Sequence, residues 1–326
     1  MSSAPSLDGL QAVVAGERAA FERYFREAMR ADNGLLDKVT QYVLRQKGKK
    51  MRPLLVLLSA KACGGVTDAT NRAAALVELL HTATLVHDDV VDDAETRRGF
   101  FSINALWKNK VAVLFGDFLL SRGLLLALDA KDYETLHLLS DAIRRMSEGE
   151  LLQIEKTRHL DLDEPTYFRI ISDKTASLLS ACTAAGARSA GANDETVRRM
   201  HAYGEKLGLA FQIRDDLFDF GGEDVGKPLG LDVQGRKLTL PLIHALRSAP
   251  ADERRRILRL VRRKRKTVAE GQAVAEFAEQ HGGLTYARRK MHTLADEARA
   301  LLDPLPPSPA REALADLATF AVERTR

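Results

Sequence analysis

Nearly every stretch of this 326-residue chain repeats its apolar side chains every three or four positions. That spacing puts them on one face of a helix and conflicts with the alternating faces of a strand. It predicts helices over 7–32, 34–47, 53–63, 68–92, 102–107, 110–129, 131–157, 164–190, 194–220, 239–247, 251–264, 267–281, 284–302 and 308–324. The breaks carry helix-ending residues: Gly64-Gly65, Gly221-Gly222, Gly282-Gly283 and the run PLPPSP at 304–309. Glu164-Pro165 reads as a helix start, because proline is tolerated in a first turn. Apolar residues make up 45% of the chain but aromatics only 6%, a balance that suits helix packing better than a sheet. No long linker and no repeat of about 20–50 residues interrupts the pattern. The expectation is one all-α domain spanning 1–326.

Several function classes drop out on composition. Cys63 and Cys182 have neither metal-ligand spacing nor a disulfide framework, which points to a reducing, cytoplasmic setting. The N-terminal MSSAPSLDGLQ lacks the basic start and apolar block of a secretory signal. The apolar run Val113–Leu128 is interrupted by Asp117 and Arg122, short of the roughly 18 apolar residues expected of a membrane span. The net charge of +4 is local, since RRRILRLVRRKRK at 254–266 holds nine basic and no acidic residues. Taking nine from 49 leaves 40 basic against 45 acidic residues, a remainder of −5. Ile257, Leu258, Val261 and Val268 fall at helical spacing, so this segment is amphipathic. A solvated helix face is the plainer reading and a contact with anionic lipid the sharper one. Nucleic acid is disfavoured because no aromatics interleave the charges.

The chemistry sits in two acidic clusters. HDDVVDDAETRRG, 87–99, places Asp88 and Asp92 four apart with Asp89 beside them. Carboxylates at that spacing share a helix face and repel. Their arrangement suits a divalent cation, and oxygen ligands shared with substrate phosphates suit Mg²⁺. FQIRDDLFDFGG repeats the DDxxD spacing with Asp215, Asp216 and Asp219, again at the end of an apolar helix. Two such clusters point to facing carboxylate walls with metal ions and a polyphosphate between them. Cations lie in matching places: Lys49 and Arg52 in KGKKMRP, Arg97 and Arg98 after the first cluster, Lys174 in SDKTASL, and Lys227 and Lys237 in the Gly-rich 221–241 stretch. No Walker loop or GxGxxG strand–helix context is present, which argues against a nucleotide enzyme.

GKKMRP, LLHTATLVHDDVVDDAETRRG, LFGD, SDKTASL, GLAFQIRDDLFDF and DVGKPLGLDVQGRKLTLP, in this order over about residues 40–245, resemble the motifs of the trans-isoprenyl diphosphate synthases. The tail LLDPLPPSPAREALADLATFAVER is also similar to that family's C-terminal end, whereas Lys47 stands where the family often has glycine. The resemblance implies the isoprenoid-synthase helical bundle around a central cavity, generally as a homodimer. It also implies head-to-tail condensation of isopentenyl diphosphate onto an allylic diphosphate. Asp88 and Asp92 would hold two Mg²⁺ and Asp215, with Asp219, a third, while Asp89 and Asp216 complete the motifs. Arg97, Lys174 and Lys237 would add positive charge around the leaving group, and Thr175 and Gln212 neutral oxygens towards the allylic cation. Lys49, Arg52, His81, Arg98 and Lys227 would bind substrate diphosphate, and released pyrophosphate would take the closing proton.

Product length turns on Ala83 and Thr84, five and four residues before Asp88. In short-product members aromatic side chains there close the pocket floor. Here both are small, so a growing tail could pass them and run along Leu80, Leu76 and Val77. That favours a long product, resembling octaprenyl diphosphate and about C30 to C50, over farnesyl or geranylgeranyl diphosphate. A terpene cyclase needs no second diphosphate pocket, so Lys49, Arg52 and Arg98 count against it. A silent regulatory subunit of a partner synthase would be expected to have lost part of one aspartate motif, and both are intact.

Overall fold

At least eight of the described helices begin where a short polar side chain accepts a backbone N–H that the first turn leaves unpaired. Ser6, Asn33, Thr67, Ser102, Asp132, Asp163, Asn193 and Thr267 all do so. At Thr67 and Thr267 the exchange is reciprocal, with Thr70 and Glu270 bonding back to the cap. The computed structural model describes residues 6–31, 33–46, 48–97, 99–160, 162–221, 238–263 and 265–323.

The helices are α1 (Leu7–Ala12), α2 (Ala15–Ala28), α3 (Gly34–Arg45), α4 (Met51–Cys63), α5 (Asp68–Val91), α6 (Ile103–Asp129), α7 (Tyr133–His159) and α8 (Glu164–Ile171). A π turn, Ser172–Ala176, leads into α9 (Ser177–Ser189). There follow α10 (Asp194–Phe220), α11 (Leu240–Ser248), α12 (Ala251–Val261), α13 (Val268–Gln280), α14 (Gly283–Ala300) and α15 (Pro309–Glu323). A two-residue hairpin, β1 (Thr96–Arg97) against β2 (Phe100–Phe101), pairs Thr96 with Phe101. The expected all-α class holds. The expected helix 7–32 is divided at Val14, whose φ of −124° is not helical. The expected break between 107 and 110 is a kink within α6 at Lys108, where φ is 71°. The expected helix 164–190 contains the π turn, which periodicity does not reveal.

The helices enclose two apolar cores. The larger joins α4, α5, α6 and α9 around Leu57, Leu58, Leu76, Leu79, Phe115 and Leu119. The smaller joins α8, α11, α13 and α14 around Ile171, Leu240, Phe277 and Met291. α10 serves both, giving Met200, Tyr203 and Leu207 to the first core and Ile213, Leu217 and Phe220 to the second. Glycines allow α10 to lie against α9: a Cβ on Gly204 would sit 2.6 Å from Ser180 Cα.

α6 has a different outer face. Leu106, Val113, Leu114, Leu124, Leu125 and Leu128 are exposed along one stripe. Among the described residues it is the one helix long and apolar enough to cross a membrane by length and composition. By that criterion the two charges that interrupt the run in sequence, Asp117 and Arg122, are tolerated within a helix.

Candidate active site

The C-terminal end of α5 carries Asp88 and Asp89, with Asp92 as its C-cap. Helix carbonyls already make this end electronegative, so carboxylates here are doubly disfavoured without a cation. The surrounding protein removes enough water to hold the Asp88 carboxyl above its ordinary pKa. Asp92 and Glu150 add to that rise, while Arg97 and Lys174 oppose it. These five groups, from α5, β1, α7 and the π turn, therefore form one electrostatic cluster.

Asp89 does something else. It is buried, and Arg97 donates to its Oδ1 from Nε at 2.5 Å. Asn104 donates to its backbone carbonyl at 3.2 Å. Ser102 Oγ donates to the Ala94 carbonyl at 2.5 Å, so the hairpin that carries Arg97 is tied to the start of α6. Asp89 thus holds Arg97 in place beneath the outward-facing Asp88 and Asp92.

The second cluster repeats this division of labour. Asp216 is 1% exposed, whereas Asp215 and Asp219 are half-buried on the last two turns of α10. Tyr167 OH donates to Asp216 Oδ2 at 2.7 Å and Gln212 Nε2 to Oδ1 at 3.3 Å. Burial, reinforced by the Asp216 charge, pushes the Tyr167 hydroxyl far above its ordinary pKa, so it stays a donor. Thr175 Oγ1 donates in turn to Gln212 Oε1 at 2.8 Å. The chain Thr175–Gln212–Asp216–Tyr167 links the π turn, α10 and α8.

The π turn sits between two glycines. A Cβ on Gly149 of α7 would lie 2.9 Å from Asp173 Cβ, and one on Gly208 of α10 would lie 2.5 Å from Ala176 Cα. Behind it, Arg145 donates to Asp173 at 2.8 Å and to Ser172 at 2.9 Å, and Ser172 donates to Glu205 at 2.8 Å. In front, Lys174 forms an ion pair with Glu150 and donates to Gln153 at 3.4 Å. Consecutive residues of one turn therefore serve different clusters, Lys174 acting on Asp88 and Thr175 reaching Asp216 through Gln212.

A cavity of about 610 Å³ adjoins this turn. Lys49, Arg52, His81 and Thr175 line it together with Leu85, Leu179, Phe211 and Phe320. Lys50, left-handed at φ 45°, turns the chain into α4 and sets its ammonium 5.5 Å from the Phe25 ring centroid. The α5 wall of the cavity is Glu78, His81, Thr82 and Leu85. Ala83 and Leu80 lie instead in the core, fully packed, and Thr84 donates its hydroxyl to the His81 carbonyl at 2.8 Å. Leu76 and Leu80 close on α6 at Gly123, where a Cβ would meet them at 3.0 and 3.3 Å. A tail running past Ala83 towards Leu80 must therefore part the α5–α6 seam.

Arg98, Lys227 and Lys237 lie outside the described residues. The structure adds Glu150, Gln153 and Tyr167, which the sequence reading did not select. Glu150 and Gln153 stand three apart on α7, a spacing that puts both on one helix face. Tyr167 carries no such signal.

Residues 33–278 match the sequence profile of the polyprenyl synthetase family. The octaprenyl diphosphate synthase of Escherichia coli K12 is 35% identical over 98% of this chain and its own full length. A decaprenyl diphosphate synthase from Rhodobacter capsulatus superposes with a TM-score of 0.91 at 37% identity, covering 98% of this chain and 100% of that one. A polyprenyl synthase from Caulobacter crescentus, solved with calcium and isoprenyl diphosphate, gives a TM-score of 0.86 at 35% identity, with both chains fully covered. With its two carboxylate clusters, its helical fold and this full-length likeness, the chain belongs to the polyprenyl synthetase family.

Proposed function

We infer that this chain condenses isopentenyl diphosphate head-to-tail onto an allylic diphosphate to make a long-chain all-trans polyprenyl diphosphate. One observation carries the reading: the π turn joins the two aspartate clusters to the cavity bearing Lys49 and Arg52. Two anion sites of different construction then adjoin. One is edged by carboxylates and needs cations to hold a diphosphate, while the other offers lysine and arginine directly.

The first site fits Mg²⁺. Its donors are hard carboxylate oxygens at the electronegative end of a helix. Mg²⁺ typically takes one or two carboxylates and completes its shell with water and substrate phosphate oxygens, which is what clusters of this kind would offer. Asp88 and Asp92 would hold ions on one side, Asp215 and Asp219 on the other. When bound, the ions supply positive charge against the departing diphosphate. The chain's own groups do the rest. Arg97, braced by Asp89, and Lys174, held by Glu150, direct positive charge at the same leaving group. Thr175 and Gln212 present neutral oxygens, able to face a carbocation without capturing it. Lys49, Arg52 and His81 would orient isopentenyl diphosphate for attack, and the apolar cavity wall keeps water away.

The reading includes a homodimer, supported by the exposed apolar stripe of α6, which a second copy would cover. Incubation with farnesyl and isopentenyl diphosphates and Mg²⁺, followed by mass analysis, should yield long-chain products. Asp88→Ala and Asp215→Ala should each lower turnover by at least about 10²-fold while the far-ultraviolet spectrum is unchanged. Near-wild-type turnover of either variant at saturating Mg²⁺ would sink the assignment.

A further inference from the structure

Helix α12 and the turn after it present a block of arginines that the active site does not use. The apolar side of α12 packs on the smaller core, with Ile257 0% and Val261 1% exposed and Leu258 and Leu260 partly buried against it. The charged side is consequently all surface: Arg254, Arg255, Arg256, Arg259, Arg262, Arg263 and Arg265 are exposed. Arg255, Arg259 and Arg262 follow at i, i+4 and i+7, one line along the outer face.

Little protein charge answers them. Arg263 pairs with Glu270. Among the described residues, no carboxylate lies within 4.0 Å of Arg254, Arg255, Arg256, Arg259, Arg262 or Arg265. Like charges four apart on a helix repel, so this face carries an electrostatic cost that the fold does not relieve.

The turn that follows is built, not loose. Lys266 is folded inward, 8% exposed, and donates to the Arg263 carbonyl at 3.3 Å. Thr267 and Glu270 form the capping box that starts α13, and Glu270 also holds Arg263. These contacts order the turn that carries Arg263, directly after the arginines of α12. Next to them Val268 is 54% exposed, a large apolar side chain at the edge of the basic face. The rest of the chain is net negative, at −5, so the molecule as a whole is electrically polarised towards this face.

We propose that this face docks the enzyme on an anionic lipid bilayer, with the arginines over the headgroups and Val268 at the interface. Charge complementarity selects the occupant. A membrane leaflet offers a broad sheet of negative charge that matches a line of arginines, and it accepts an apolar side chain beside them. The absence of aromatics in 254–266 gives no stacking platform for nucleic-acid bases. The proposal gains purpose from the inferred activity, because a long polyprenyl product needs an apolar phase to leave into. Docking itself is measured without turnover, so the two readings fail separately.

The test is vesicle co-sedimentation of the full chain at two salt concentrations. Vesicles of phosphatidylcholine with about 30% phosphatidylglycerol should bind it, and pure phosphatidylcholine should not. Each arginine near an anionic leaflet contributes roughly a fivefold gain in partitioning. Arg255→Gln with Arg259→Gln and Arg262→Gln should then weaken binding on the order of a hundredfold. Raising the salt should weaken the wild-type protein towards the level of the variant. The variant's turnover with soluble substrates should match wild type and its melting temperature should be equal or higher, since repulsion along α12 is relieved, which separates docking from folding. Equal binding to neutral vesicles, or unchanged binding by the triple variant, would overturn the proposal. Tighter retention on duplex DNA or RNA than on anionic vesicles at equal ionic strength would overturn it as well.

Discussion

Adding one methyl group at Gly208 tests whether the spacing between α10 and the π turn is a working dimension of the site. A Cβ there would lie 2.5 Å from Ala176 Cα and 2.7 Å from Ala176 Cβ, where ordinary contact begins near 3.4 Å. The elements would have to separate by about 1 Å. Ala176 follows Thr175 directly, and Gln212 is one helical turn beyond Gly208. Their 2.8 Å hydrogen bond would be stretched past bonding reach, and Gln212 would lose its orientation towards Asp216. Overpacking of this kind costs about 1–3 kcal/mol of stability. A displacement near 1 Å at reacting groups can cost on the order of 10²-fold in rate. Gly208→Ala should therefore melt lower than wild type and, assayed well below its melting temperature, turn over at a small fraction of the wild-type rate. Gly16→Ala is the control. Nothing lies within 4 Å of its added Cβ, so it should be neutral or stabilising by up to about 1 kcal/mol. A Gly208→Ala enzyme with a rate within twofold of wild type would show that the spacing tolerates relaxation and that the reasoning is wrong.

Ala83→Phe places a ring in a fully packed site, so stability should fall by about 1–3 kcal/mol. Products analysed by mass should shorten towards C15–C20 while the first condensation continues, and an unchanged product length would show that the tail takes another path. Tyr167→Phe removes one donor to a carboxylate that is 1% exposed. Urea denaturation should report a loss of about 1.5–3 kcal/mol, and an unshifted midpoint would mean that Asp216 does not depend on the hydroxyl.

The helices were legible because their apolar faces repeat locally, and the DDxxD clusters because four-residue spacing on a helix is itself a geometric statement. What the spacing concealed is that each cluster splits. Asp89 and Asp216 turn inward, and the partners that hold them come from other elements: Arg97 from the hairpin, Tyr167 from 49 positions away. Glu150 escaped notice for the same reason, since its meaning comes from Lys174, which reaches it from the π turn. The π turn was marked as a motif, SDKTASL, but its geometry had no signature. Its Ser-Asp-Lys-Thr-Ala sequence is compatible with an ordinary helix, and only close packing against Gly149 and Gly208 singles it out. The expected chain-length residues Ala83, Thr84 and Leu80 lie on α5, where burial of Ala83 and Leu80 was not legible from their spacing, and the open cavity follows His81, Thr82 and Leu85.

The π turn also marks the point where one continuous rod changes allegiance. Before it, Tyr167 and Ile171 belong to the smaller core, and after it Leu178, Ala181 and Cys182 belong to the larger. An α-helix with unbroken phase would keep presenting the same stripe, whereas the wider turn resets the phase and lets the rod serve both. The orientation of Lys174 and Thr175 is therefore tied to the offset between two interiors that this rod and α10 both join. A volume change deep in either one, far from any diphosphate, shifts that offset and arrives at the site as a rotation. The enzyme's rate should consequently be sensitive to substitutions in both interiors that leave every substrate contact intact.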